Sequence, residues 1–137
     1  EAELKTRLRK LMELRQKLQA RYQQPDFQPG PETEKEDAFI LKARAVLLAH
    51  LDDDSFGIQE LSTALHLSRG HLHRKLKALT GQSASHFIRQ VRLQEAYRLL
   101  QQGSLNVSEV AFRVGYKDPS YFSKLFSKQF GKPPSEA

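Results

Sequence analysis

Residues 58–81 and 107–131 carry the same pattern twice, and that repeat constrains the fold more than any other feature. The first stretch reads IQELSTALHLSRGHLHRKLKALTG and the second VSEVAFRVGYKDPSYFSKLFSKQFG. Shifted by 49 positions, Ile58 meets Val107, Glu60 meets Glu109, Leu61 meets Val110 and Leu65 meets Val114. Asp118 is then one extra residue, and a shift of 50 brings Leu72 onto Phe122, Arg74 onto Lys124, Leu76 onto Phe126 and Gly81 onto Gly131. Self-similarity of this kind marks a repeated supersecondary unit. Each copy predicts a short helix, a tight turn at His66 and Leu67 or at Gly115 and Tyr116, and a second helix. That is the layout of a helix-turn-helix, whose second helix lies in the major groove of DNA.

The spacing separates inward from outward positions. In the first unit Leu72, Leu76 and Leu79 recur at core spacing, while Gly70, His73, Arg74 and Lys77 share another face. The matching positions of the second unit are Ser120, Ser123, Lys124 and Ser127. We expect base edges to be read by Gly70, His73, Arg74, Ser120, Ser123 and Lys124. Arg74 can bond a guanine edge bidentately, and Lys124 can act there as a point charge. Small side chains at 70, 120 and 123 permit close approach. By charge, Lys77, Lys117 and Lys128 are the candidates for phosphate contacts. Solvated polar faces of a helix bundle are the bland alternative, and two aligned units in one basic region argue against it.

The rest of the chain reads as helix as well. Residues 84–101 carry apolar side chains on more than one side, so this helix is buried from more than one side and can join the two units. Held rigidly, the two second helices would enter successive major-groove openings ~34 Å, or roughly 10 bp, apart. Phe39, Ile40, Ala43, Val46, Leu47 and Leu51 predict a helix starting near Asp37, ended by a solvated turn at Asp52, Asp53 and Asp54. Residues 23–37 hold three prolines and five acids and read as a linker. Residues 3–22 predict one amphipathic helix, with Leu4, Leu8, Leu11, Leu18 and Tyr22 in a stripe that Leu14 widens. A lone stripe of this kind needs something to lie against: a second copy of itself or an upstream domain. No segment alternates with period two, so the expected fold is all-α.

Charge sharpens the functional reading. Residues 1–37 carry eight basic and eight acidic side chains, whereas residues 68–137 carry twelve and four. A basic C-terminal half is the electrostatic footprint of a nucleic-acid binder. Other chemistry lacks its residues. Cysteine is absent, which excludes disulfides and thiol catalysis and fits a reducing cytoplasm. His71 and His73 point about 200° apart on a helix and cannot share a metal. The glycines sit singly rather than in a phosphate-binding loop. No apolar run approaches the ~18 residues of a membrane span. We therefore expect no enzyme activity, no metal, no cofactor and no membrane. The chain opens on Glu1 rather than Met, and we expect it to be a piece of a longer protein.

These residues resemble the AraC/XylS family of bacterial transcription regulators over about residues 39–137. The second unit carries that family's C-terminal signature in Val110, Ala111, Gly115, Tyr116, Tyr121, Phe122, Phe126, Phe130, Gly131, Pro133, Pro134 and Ser135. The first matches through Leu61, Ser68, Leu72, Arg74, Leu76, Thr80, Gly81, Phe87 and Ile88. The resemblance implies a seven-helix domain with two helix-turn-helix units on a linking helix. It also implies sequence-specific binding to double-stranded promoter DNA, most often for activation, with RNA polymerase as a further partner. One departure is Gly70, where family members often carry a larger reading side chain.

The segment LKTRLRKLMELRQKLQARY also resembles the last helix of a response-regulator receiver domain running into its output linker. That resemblance divides the chain into a helix over 1–22, a linker over 23–37 and a DNA-binding domain over 38–137. It implies control by a phosphorylatable domain upstream and a homodimer through the N-terminal helix. The competing hypothesis is an interaction module in which helix 3–22 is the working part and DNA affinity is non-specific.

Overall fold

The computed structural model describes residues 2–23 and 34–137, apart from the side chains at 2–4, 18, 21 and 34. Most of the expected linker, and the side chains of Leu4 and Leu18, therefore lie outside the described residues. These residues form seven α-helices: α1 (Ala2–Tyr22), α2 (Glu34–Ala49), α3 (Ile58–Ala64), α4 (Arg69–Thr80), α5 (Ala84–Gln102), α6 (Val107–Arg113) and α7 (Pro119–Phe130). A 3-10 turn at Pro134–Glu136 follows, and no strand occurs among the described residues. Helix α2 begins ahead of its expected start at Asp37, so residues 34–37 are helix rather than linker. Glu36 and Asp37 fall in its first turn, where negative charge complements the helix dipole.

The repeat extends to the backbone hydrogen bonds. Leu67 N–H donates to Ser62 O at 2.9 Å, and 49 residues later Tyr116 N–H donates to Ala111 O at 2.9 Å. Such a bond closes a helix end through a residue in the left-handed conformation. That residue is His66 (φ 58°) in the first unit and Gly115 (φ 90°) in the second. The helix starts repeat too. Glu60 accepts from the Gly57 N–H, and Glu109 accepts from the Asn106 N–H. Side-chain oxygens of Ser68, Ser83, Asn106 and Asp118 accept backbone N–H groups at the starts of α4, α5, α6 and α7.

Helix α5 separates two cores and belongs to both. Phe87, Ile88 and Val91 pack with Ile40, Leu47, Leu61, Leu72 and Leu76. Leu93 and Ala96 pack with Val110, Val114, Phe122 and Phe126. The leucines of the first unit are thus phenylalanines in the second, where Phe126 lies against Phe122, Tyr97 and Phe130. Leu51, from the loop after α2, is buried in the second core. Burying each of these side chains other than Ala96 contributes roughly 1.5–3 kcal/mol.

A cation sits where the two units meet. Arg92 on α5 is only 6% exposed. Its guanidinium donates to the carbonyls of Leu51, Asp53 and Phe56 in the loop after α2, and to Val114 O at the turn of the second unit. Burial lowers its pKa, with Tyr116, Asp53 and Asp54 opposing the shift. Gly115 closes over this group. A Cβ there would stand 1.8 Å from Arg92 Nη1 and 2.5 Å from Leu51 O.

The two turns should therefore respond in opposite ways to substitution. His66 is exposed, and its left-handed backbone costs roughly 1–2 kcal/mol that glycine would not incur. His66→Gly should raise the unfolding free energy by about 0.5–1 kcal/mol in a denaturant titration, part of the relief being offset by the freer unfolded chain. Gly115→Ala adds a clash with a buried hydrogen-bonded cation to an unfavourable φ, and should cost about 3 kcal/mol or more.

Candidate nucleic-acid interface

Helices α4 and α7 present the expected faces. Leu72, Leu76, Phe122 and Phe126 are fully buried, which turns the opposite sides of both helices outward. Gly70, His73, Arg74, Ser120 and Lys124 are exposed, and Ser123 is partly buried. Arg74 folds back over Gly70: a Cβ at position 70 would lie 3.2 Å from its Nη1. The space that a larger reading side chain would fill is taken by this guanidinium instead.

The three lysines expected at phosphates have different surroundings. Lys77 Nζ donates to Gly81 O at 3.1 Å and closes the end of α4. Lys117 Nζ lies 3.1 Å from Asp54 Oδ2, with its side chain 80% exposed. Lys128 is exposed in the last turn of α7. The Asp54–Lys117 pair gives the acidic turn after α2 a task that its composition did not signal. A polar cleft lies beside the pair, between α5 and the start of α7, lined by Ser85, Arg89, Tyr116 and Tyr121 among others. Among the described residues, no three His, Asp or Glu side chains gather as metal ligands, and no helix is long and apolar enough to cross a membrane.

The N-terminal helix has a partner that its sequence did not indicate. Rather than only offering a stripe to a second copy or an upstream domain, α1 lies on α4 of the same chain. Gln19 Nε2 donates to Ala78 O at 3.1 Å, and Gln23 Nε2 donates to Thr80 O at 2.8 Å. Gln90 Nε2 on α5 donates in turn to Gln23 O at 3.1 Å. Tyr22 is buried in the first core. Of the expected stripe, Leu8, Leu11 and Leu14 are more than half exposed, as is Met12 beside them.

The helix-turn-helix domain family matches residues 61–137, which take in most of the first unit and all of the second. The chain belongs to this family, in its AraC-type form. Three relatives place it further. Over 137 residues it is 30% identical to histidine kinase P4 of Formosa agariphila, covering 98% of this chain and 10% of that protein. Over 105 residues it is 33% identical to the HTH-type transcriptional activator RhaR of Enterobacter sp. (strain 638), covering 77% of this chain and 37% of that one. The solved C-terminal domain of AraT, a response regulator from Geobacillus stearothermophilus, superposes with a TM-score of 0.63 at 30% identity, covering 70% of this chain and 79% of that domain. The chain thus spans about a tenth and about a third of the two curated relatives. As an AraC-type domain it is a DNA-binding module of transcription regulators and not an enzyme.

Asp54 places a carboxylate beside a cation of this surface. Replacing it with Asn should change stability by less than about 1 kcal/mol, because the ion pair is solvent-exposed. The same change should strengthen DNA binding a few-fold at low salt, with the gain shrinking as salt is added. Titrations of a labelled duplex at two ionic strengths measure both.

Proposed function

We propose that this chain is the DNA-reading output end of a transcription activator, with α4 and α7 entering adjacent major-groove segments of one duplex. The observation that carries this reading is the pair of outward faces on two capped helices, joined by a single helix that belongs to both cores. In this reading Arg74 and His73 read bases for the first unit, and Lys124, Ser120 and Ser123 for the second. Gly70 makes room for Arg74. Lys77, Lys117 and Lys128 contact phosphates.

Control comes from upstream. The family resemblance of α1, the response-regulator name of one solved relative and the histidine-kinase name of one sequence relative support a phosphorylatable receiver domain ahead of this chain. The exposed stripe of Leu8, Leu11, Met12 and Leu14 supports pairing of two chains through α1. RNA polymerase is the partner through which an activator of this kind acts.

Selection from a random pool of duplexes at physiological salt tests the reading. Two enriched motifs about one helical turn apart are expected. Arg74→Ala should then relax the preference at one base pair at a cost of ~1–3 kcal/mol. Equal weakening on all duplexes would remove Arg74 from base reading. No enrichment from the pool, with binding intact at low salt, would favour the interaction-module alternative centred on α1.

A further inference from the structure

We propose that α1 is an intramolecular mask on the first recognition helix, and that DNA and α1 compete for the same face of α4. The inference rests on the reading of α4 as a DNA-reading helix. At 100° per residue, positions 70, 74, 77, 78 and 81 lie on one side of α4, opposite the buried Leu72 and Leu76. Helix α1 is seated on the C-terminal half of that side. Gln19 bonds the carbonyl of Ala78, and Gln19 and Gln23 crowd Gly81 so closely that a Cβ there would meet Gln19 Oε1 at 3.2 Å. Further along, Arg15 and Gln19 share one cleft with His73, Arg74 and Lys77.

The dimensions make the two occupants exclusive. A helix with its side chains is about 10 Å across. The major groove is about 12 Å wide and 8.5 Å deep, which admits one helix and not a second stacked on its outer side. With α1 in place, the C-terminal half of the outer face of α4 meets the groove behind another helix.

The seat is also built to be left. Of the groups lining this cleft, Arg15, Arg74 and Lys77 are cations and none is an acid, so like charges face one another across it. The hydrogen bonds from Gln19 and Gln23 to α4 run from two neutral amides to two backbone carbonyls. Tyr22 and Gln23 are fastened to the first core and to Gln90, which leaves a fixed end about which the helix can swing. Leu8, Leu11, Met12 and Leu14 stay exposed while α1 is seated. An upstream domain that grips this stripe could draw α1 away without unfolding the units beneath.

Masking and simple dimer support predict opposite signs for weakening the seat. The chain contains no cysteine, so Gln19→Cys with Ala78→Cys introduces one thiol pair, closed by a short bifunctional thiol reagent or left open. Both forms are put through selection from the random duplex pool, with thermal unfolding confirming that each is folded. The open form should enrich two motifs, and the bridged form only the one read by α7. Two motifs at equal affinity from the bridged form would overturn the mask. Enrichment from neither form would overturn the DNA reading itself, and the mask with it. Gln19→Ala, without any bridge, should bind the selected duplex about three- to tenfold more tightly, the equivalent of one lost hydrogen bond. Unchanged or weaker binding by that variant would overturn the proposal independently.

Discussion

The guanidinium of Arg92 is buried between two helix-turn-helix units and is hydrogen-bonded to four backbone carbonyls, three from one side and one from the other. Burying a charge is costly unless its hydrogen bonds are met. Here they are met by the loop after α2 and by the turn of the second unit, neither of which is regular structure. The group therefore fixes the two segments whose placement decides how α4 and α7 are set relative to each other. Gly115 is the counterpart of this arrangement, since any side chain at its position would occupy the space the guanidinium uses. The glycine is demanded by its neighbour as much as by its own backbone angle.

Much of the architecture was legible in the amino-acid sequence because it depends on local patterns. The repeat set out both units, and the structure copies it down to the turn hydrogen bonds of Leu67 and Tyr116. The breadth of the apolar surface on α5 foretold its two-sided burial. The role of Arg92 was not legible. In a helix that is apolar on several sides, one arginine reads as the solvated position, and its partners are main-chain carbonyls, which leave no mark in the sequence. The seat of α1 escaped notice for a related reason. Its stripe of leucines drew attention to apolar packing, whereas Gln19 and Gln23 grip backbone oxygens of α4.

The interface was legible to a different degree. Which side of α4 and α7 faces outward followed from helical spacing, and the structure places those side chains on the surface. What each cation does before DNA arrives did not follow. Lys77 closes its own helix and Lys117 answers a carboxylate from another loop. Spacing records which residues share a face, but not the short-range partners that long flexible side chains find across the fold. Gly70 shows the same limit, because the space it leaves is filled by Arg74 from the next turn of the helix.

Leu51 lies in the loop between α2 and the first unit and is buried in the core of the second, while α5 lends one end to each core. Neither unit therefore holds a complete interior of its own. The pair has to gain and lose structure as one cooperative body, with no stable half-folded species in which one unit is formed while the other is melted. A lesion deep in either core then acts as a concentration effect, thinning the population of molecules in which both units are folded. Changes confined to the outer faces of α4 and α7 touch none of the shared interior, so the two faces are free to diverge from each other while the body that carries them stays the same.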